Sequence, residues 1–148
     1  MRRLLAVLLV TAFGMGCTSP TAASDQQLQS EERAMQVHYL EVVTKDVGAV
    51  CAGYSAANGM QFGAPVAGLG NARTAALPGG GVVGVRAPMR ESEESVVRPY
   101  WLVDDIQSAV AAAQASGGVV AHLPMEIPGH GTFAIYIQGG VEHGLWQL

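Results

Sequence analysis

Charge is scarce in this chain: 14% of the residues are charged, and Lys plus Arg number 8 against 12 Asp plus Glu. With a formal net charge of −4 and no basic block, nothing in it could track a phosphate backbone, which excludes a nucleic-acid binder. Cysteine is limited to Cys17 and Cys51. Cys51 lies in a helical pattern and reads as a small buried hydrophobe. A membrane-spanning run is missing as well. Leu4 to Phe13 is apolar except for Thr11, but its ten residues are half of the roughly 20 that a spanning helix needs. Neither a Ser-His-Asp order nor a phosphate loop is present, because Gly79-Gly80-Gly81 lacks the Lys and the helix of a phosphate cradle. What remains is a 49% apolar chain of 148 residues, too hydrophobic for disorder and too short for two ordinary domains. One compact domain is expected.

The N-terminus has a signal-peptide layout: basic Met1-Arg2-Arg3, the apolar run, then Gly14-Met15-Gly16-Cys17. The small-x-small-Cys ending resembles the lipobox of bacterial lipoproteins, with Gly14 where that pattern usually has Leu. The resemblance implies cleavage after residue 16 and lipidation of Cys17; ordinary secretory cleavage nearby is the alternative, leaving a soluble periplasmic or secreted protein. Loss of residues 1–16 takes Arg2 and Arg3 with it, so the net charge of −4 becomes −6. An acidic protein has no affinity of its own for anionic lipid, so membrane attachment rests on the acyl chains. Thr18 follows the cysteine instead of Asp, which in the sorting pattern it resembles favours the outer membrane, facing the periplasm. Residues 17–36, rich in Thr, Ser, Ala, Gln and Glu, have little to bury and read as a tether.

Sliding the chain against itself by 59 positions pairs residues 37–89 with 96–148 and matches eleven identities, among them Asp46/Asp105, Gly59/Gly118 and Gly80/Gly139. Each half begins with an alternating, β-branched strand, Tyr39–Thr44 and Pro99–Val103. A helix follows, started by Asp46 or Asp105 and stopped at Asn58-Gly59 or Gly117-Gly118. Val47, Cys51 and Tyr54, like Ile106, Val110 and Ala113, recur at helical spacing and place one stripe on a sheet. Three short strands are expected in each half: near residues 60–62, 72–77 and 82–87, then 119–122, 132–138 and 144–147. The unit is βαβββ, twice, and Arg90–Ser95 between the halves reads as a linker rather than a site.

This order resembles the vicinal oxygen chelate superfamily, which includes glyoxalase I, bleomycin-resistance proteins and extradiol dioxygenases. The residues that carry the likeness are Val103-Asp104-Asp105-Ile106, Gly117-Gly118, Glu126 to Ala134 and the closing Gly144-Leu145-Trp146-Gln147. The resemblance implies an α+β domain over residues 37–148, its two modules (37–89 and 96–148) forming a curved mixed sheet with helices outside and a cavity inside. Metal-dependent members carry His, Glu or Gln ligands on the first and last strands of each module. The matching first-strand positions are Tyr39 and Arg98, and the last-strand positions fall near Val85 and Gly144. Arg, Val and Gly do not bind divalent cations, and Tyr is a poor ligand beside imidazole or carboxylate, so no metal and no other cofactor is expected. A slip of one residue would bring in His38 and His143 but would turn both strands inside out.

Alternation places Tyr39, Glu41 and Val43 on the ligand face, with Arg98, Tyr100, Leu102, Gly144 and Trp146. The expected binding residues are therefore Tyr39, Glu41, Arg98, Tyr100 and Trp146, an aromatic pocket for a small organic molecule in which Arg98 could meet a carboxylate or phosphate. Glu41 is the one general acid or base candidate. Against this, Glu41 and Arg98 could neutralise each other and the aromatics fill core. The leading expectation is a metal-free, envelope-anchored binding protein; the alternatives are a metal-dependent lyase, isomerase or dioxygenase of the same fold, and a scaffold with a filled cavity. The superfamily often builds cavities across a homodimer, which would bring Tyr39 and Arg98 together from two chains.

Overall fold

The computed structural model describes residues 36–148. The expected signal peptide, Cys17 and the expected tether up to residue 35 lie outside the described residues. The first module runs β1 (Val37–Val43), α1 (Val47–Asn58), β2 (Pro65–Val66), a single 3-10 turn (Ala67–Leu69), β3 (Ala72–Ala76) and β4 (Val82–Arg86). The second runs β5 (Val96–Leu102), α2 (Ile106–Ala115), β6 (Val119–Ile127), β7 (Gly131–Gln138) and β8 (Val141–Gln147). All eight strands form one mixed sheet, in the order β2-β3-β4-β1-β5-β8-β7-β6. Within each module the first strand lies parallel to the last, and the modules join where β1 and β5 run antiparallel, Glu41 opposite Arg98 and Tyr39 opposite Tyr100.

Both helices start on the acidic residues expected of them. Asp46 accepts from the Ala49 amide at 2.9 Å and Asp105 from the Ser108 amide at 2.6 Å, each satisfying an exposed helical donor. The stripe on α1 packs Cys51 with Val42, Ala75, Val83 and Val85 on the outer face of the sheet, and that on α2 packs Ile106 and Val110 with Ala134 and Leu145. Val43, Val83 and Val85 are essentially sealed from water, and full burial of such a side chain contributes about 1.5–3 kcal/mol. With both outer-face cores beneath the helices, the inner face of the sheet is left to shape a site.

Three expectations need correction. The strand expected near residues 60–62 forms instead at Pro65–Val66, because the Arg73 side chain takes the carbonyls of Phe62 and Gly63 at 3.3 and 3.0 Å and occupies acceptors a ladder would use. The 59-residue spacing also fails at the last strands. Glu41 and Tyr100, 59 apart, face Gly84 and Gly144, which are 60 apart, because the stretch from Tyr100 to Ile135 is two residues longer than that from Glu41 to Thr74, and the shorter β7–β8 return takes back only one of them. Gly84, not Val85, is thus the first module's inward position, and Val85 points into the core under α1. Finally, Arg90–Ser95 is not merely a linker, since Glu93 turns back into the inner face.

Candidate functional site

The inner face of the sheet encloses a cavity of about 480 Å³, within the range of small-molecule sites. Strand alternation sets its lining. Tyr39 and Glu41 project from β1, Arg86 from β4, Arg98 and Tyr100 from β5, and Glu142 and Trp146 from β8, while β6 and β7 add His122, Ile127, Phe133 and Ile135. All five residues expected to bind are here, in one chain. Arg86, Glu93 and Glu142 were not anticipated. Arg86 was hidden by the one-residue register error, and Glu142 because the last strand was expected only over residues 144–147, whereas it begins at Val141.

The charged residues form a single chain of alternating sign. Glu93 grips Arg86, with Nη2 to Oε1 at 2.6 Å and Nη1 to Oε2 at 3.0 Å. Arg86 Nε donates to Glu41 Oε1 at 2.7 Å, and Glu41 Oε2 accepts from Arg98 Nη1 and from the Tyr100 hydroxyl, the latter at 3.1 Å. Arg98 Nε and Nη2 then donate to Glu142 Oε2. Arg86 and Arg98 are 3% and 7% exposed, yet each of their guanidinium nitrogens has an acceptor. Arg86 holds the Glu93 carboxyl at about 2, below the usual carboxylate range. Burial, and then the charge of Glu41, pushes the phenols of Tyr39 and Tyr100 upward, so both remain protonated.

The expectation that Arg98 pairs with a ligand anion therefore meets a guanidinium already engaged by Glu41 and Glu142. Glu41 is in the same position as a catalytic candidate: both its oxygens are occupied. Tyr39, Tyr100 and Trp146 pack as one cluster, with ring centroids 5.4 to 5.7 Å apart. They form the floor of the cavity without filling it.

The metal positions implied by the resemblance can be read directly from this geometry. They hold Tyr39 and Arg98 on the first strands and Gly84 and Gly144 on the last. A side chain could not be restored at either glycine, because a Cβ on Gly84 would overlap the Tyr39 hydroxyl and one on Gly144 would overlap the Tyr100 ring. The two tyrosines cross the space that last-strand ligands would need, so these residues do not fit a divalent cation. Among the described residues no group of three or more His, Cys, Asp or Glu side chains is placed to hold one.

No family model matches the sequence, and no curated protein does either. Solved structures do. A hypothetical protein of Bacillus halodurans C-125 aligns with a TM-score of 0.61 at 11% identity, covering 76% of this chain and 94% of its own. Methylmalonyl-CoA epimerase from Mycobacterium tuberculosis gives 0.60 at 14% identity, covering 78% and 89%. The Streptomyces coelicolor methylmalonyl-CoA epimerase, in complex with 2-nitronate-propionyl-CoA, gives 0.56 at 17%, covering 76% and 93%. The chain has the fold of the methylmalonyl-CoA epimerases. Those enzymes belong to the vicinal oxygen chelate superfamily, so the curved sheet of two βαβββ modules expected from the sequence is the architecture found.

Proposed function

We propose that this protein is an envelope-anchored binding protein that takes up a small organic molecule in its concave cavity without a metal ion. One observation carries this reading: the positions implied for metal ligands hold Tyr39, Arg98, Gly84 and Gly144, with the Tyr39 and Tyr100 side chains lying over the two glycines, while a cavity of about 480 Å³ stays open above them. An aromatic floor with few polar groups suits retention of an organic molecule. Both oxygens of Glu41, the general acid or base candidate of the sequence, are engaged by Arg86, Arg98 and Tyr100, which favours binding over turnover at that carboxylate. The signal-peptide layout and Cys17 support anchoring in the bacterial envelope, with the domain facing the periplasm. Among the described residues no helix is long and apolar enough to cross a membrane.

The test pairs elemental analysis with a ligand screen on the full chain, purified without chelators. Expected are no stoichiometric metal and thermal stabilisation by an organic ligand that persists in EDTA. One tightly held metal per chain, or stabilisation that EDTA abolishes, would overturn the metal-free reading and support a lyase or isomerase. Metabolic labelling with a fatty-acid analogue, lost on Cys17→Ser, tests the anchor; no label on the unaltered chain refutes it.

A further inference from the structure

The charged network has an odd number of members. From Glu93 through Arg86, Glu41 and Arg98 to Glu142 there are three carboxylates and two guanidiniums, so the chain ends with one negative charge in excess. Its two ends differ. Both oxygens of Glu93 are used, on Arg86 and on the Met89 amide. At Glu142, Oε2 receives both Arg98 bonds, and Oε1 has no hydrogen-bond partner among the described residues, on a side chain that lines the cavity and is 40% exposed. Across the cavity the His122 ring stacks on Phe133, centroids 4.8 Å apart. Its Nδ1 lies 2.7 Å from the Leu123 carbonyl, which makes Nδ1 the protonated nitrogen and leaves Nε2 a bare acceptor in the neutral ring. The cavity lining thus combines acceptor-bearing residues, Glu142 and His122, with aromatic ones. Arg90 is the opposing cation, but it is exposed at the mouth, where water screens it.

Resting on the binding function proposed above, we infer that the ligand is a planar aromatic molecule bearing a cationic amine. The amine donates to Glu142 Oε1, and the ring lies in the open cavity against the aromatic lining that His122, Phe133, Tyr100 and Trp146 form. An ammonium or amidinium would compensate the excess carboxylate, and a charge-assisted hydrogen bond in a partly desolvated site is stronger than a neutral one. The aromatic faces add attraction for the same cation. A carboxylate ligand would instead meet two guanidiniums already engaged and the network's excess negative charge.

Three isosteric probes separate these cases: 9-aminoacridine, acridine and acridine-9-carboxylate, titrated calorimetrically into the purified full chain at mildly alkaline pH. The expected order is the aminated probe first, acridine about tenfold weaker and the carboxylate weakest. Glu142→Gln should remove the preference for the aminated probe and leave acridine unchanged; should that variant lose stability, His122→Phe supplies the second acceptor test, with a partial loss expected. Equal binding of all three probes, or preference for the carboxylate, overturns the cationic class while the cavity reading stands. Failure of all three to bind the unaltered chain overturns both, and binding that Ala121→Trp at the cavity wall leaves unchanged puts the probe outside the cavity and also overturns both.

Discussion

Glu41 is the centre of the buried network, and its replacement by Gln is the most informative perturbation. The side chain keeps its length but loses its charge, and its amide nitrogen must then face a guanidinium as donor against donor. Removing one partner of a buried ion pair costs about 3–5 kcal/mol when the remaining charge has no other partner. Here Arg86 keeps Glu93 and Arg98 keeps Glu142, so a smaller loss of about 2–3 kcal/mol is expected. For a domain of this size that corresponds to a fall in Tm of about 10 °C. Urea and thermal unfolding followed by circular dichroism measure it, with Glu142→Gln as the comparison, where the partly exposed position should give less than half the effect. Combining Glu41→Gln with Arg86→Met tests the coupling, and the double variant should lose less than the sum of the singles by about 1 kcal/mol or more. A Glu41→Gln variant within about 0.5 kcal/mol of the original chain would refute the view that this network ties the modules together.

Gly144→Ala should destabilise by about 2–3 kcal/mol, because its Cβ would fall on the Tyr100 ring; the same change in a Tyr100→Ala background should cost clearly less, and equal costs would remove the close approach as the cause. Glu93 titrates at about 2 when folded against an ordinary 4.5, so its stabilising share is complete above pH about 4.5 and is lost as pH falls toward 2. The stability gap between the original chain and Glu93→Gln should therefore close over that interval in acid unfolding curves, and a gap independent of pH would contradict the Arg86 pairing. Asp105→Ala should lower Tm measurably through the lost bond to the Ser108 amide, and an unchanged Tm would show that water replaces the cap.

Much of the architecture was legible in the chain itself because its signals are local. Asp46 and Asp105 mark helix starts wherever they occur, since a short acceptor side chain there meets exposed amides, and the stripe from Val47 to Tyr54 needs a sheet to cover it whatever lies opposite. Tyr39, Glu41, Arg98, Tyr100 and Trp146 could be placed on one face because alternation along a strand follows from backbone geometry alone. The tertiary structure decided what local patterns do not encode. Unequal lengths between the first strand and the final hairpin of the two modules shifted the last strands by one residue, and at a side-chain period of two this exchanged Val85 for Gly84 and brought Arg86 inward. Glu93 joined the site through a segment with no periodicity to reveal its direction. Above all, the guanidinium partners of Glu41 lie 45 and 57 residues away in sequence, so whether its carboxylate stood free or was shared between them depended on pairing across the sheet and on nothing within its own strand.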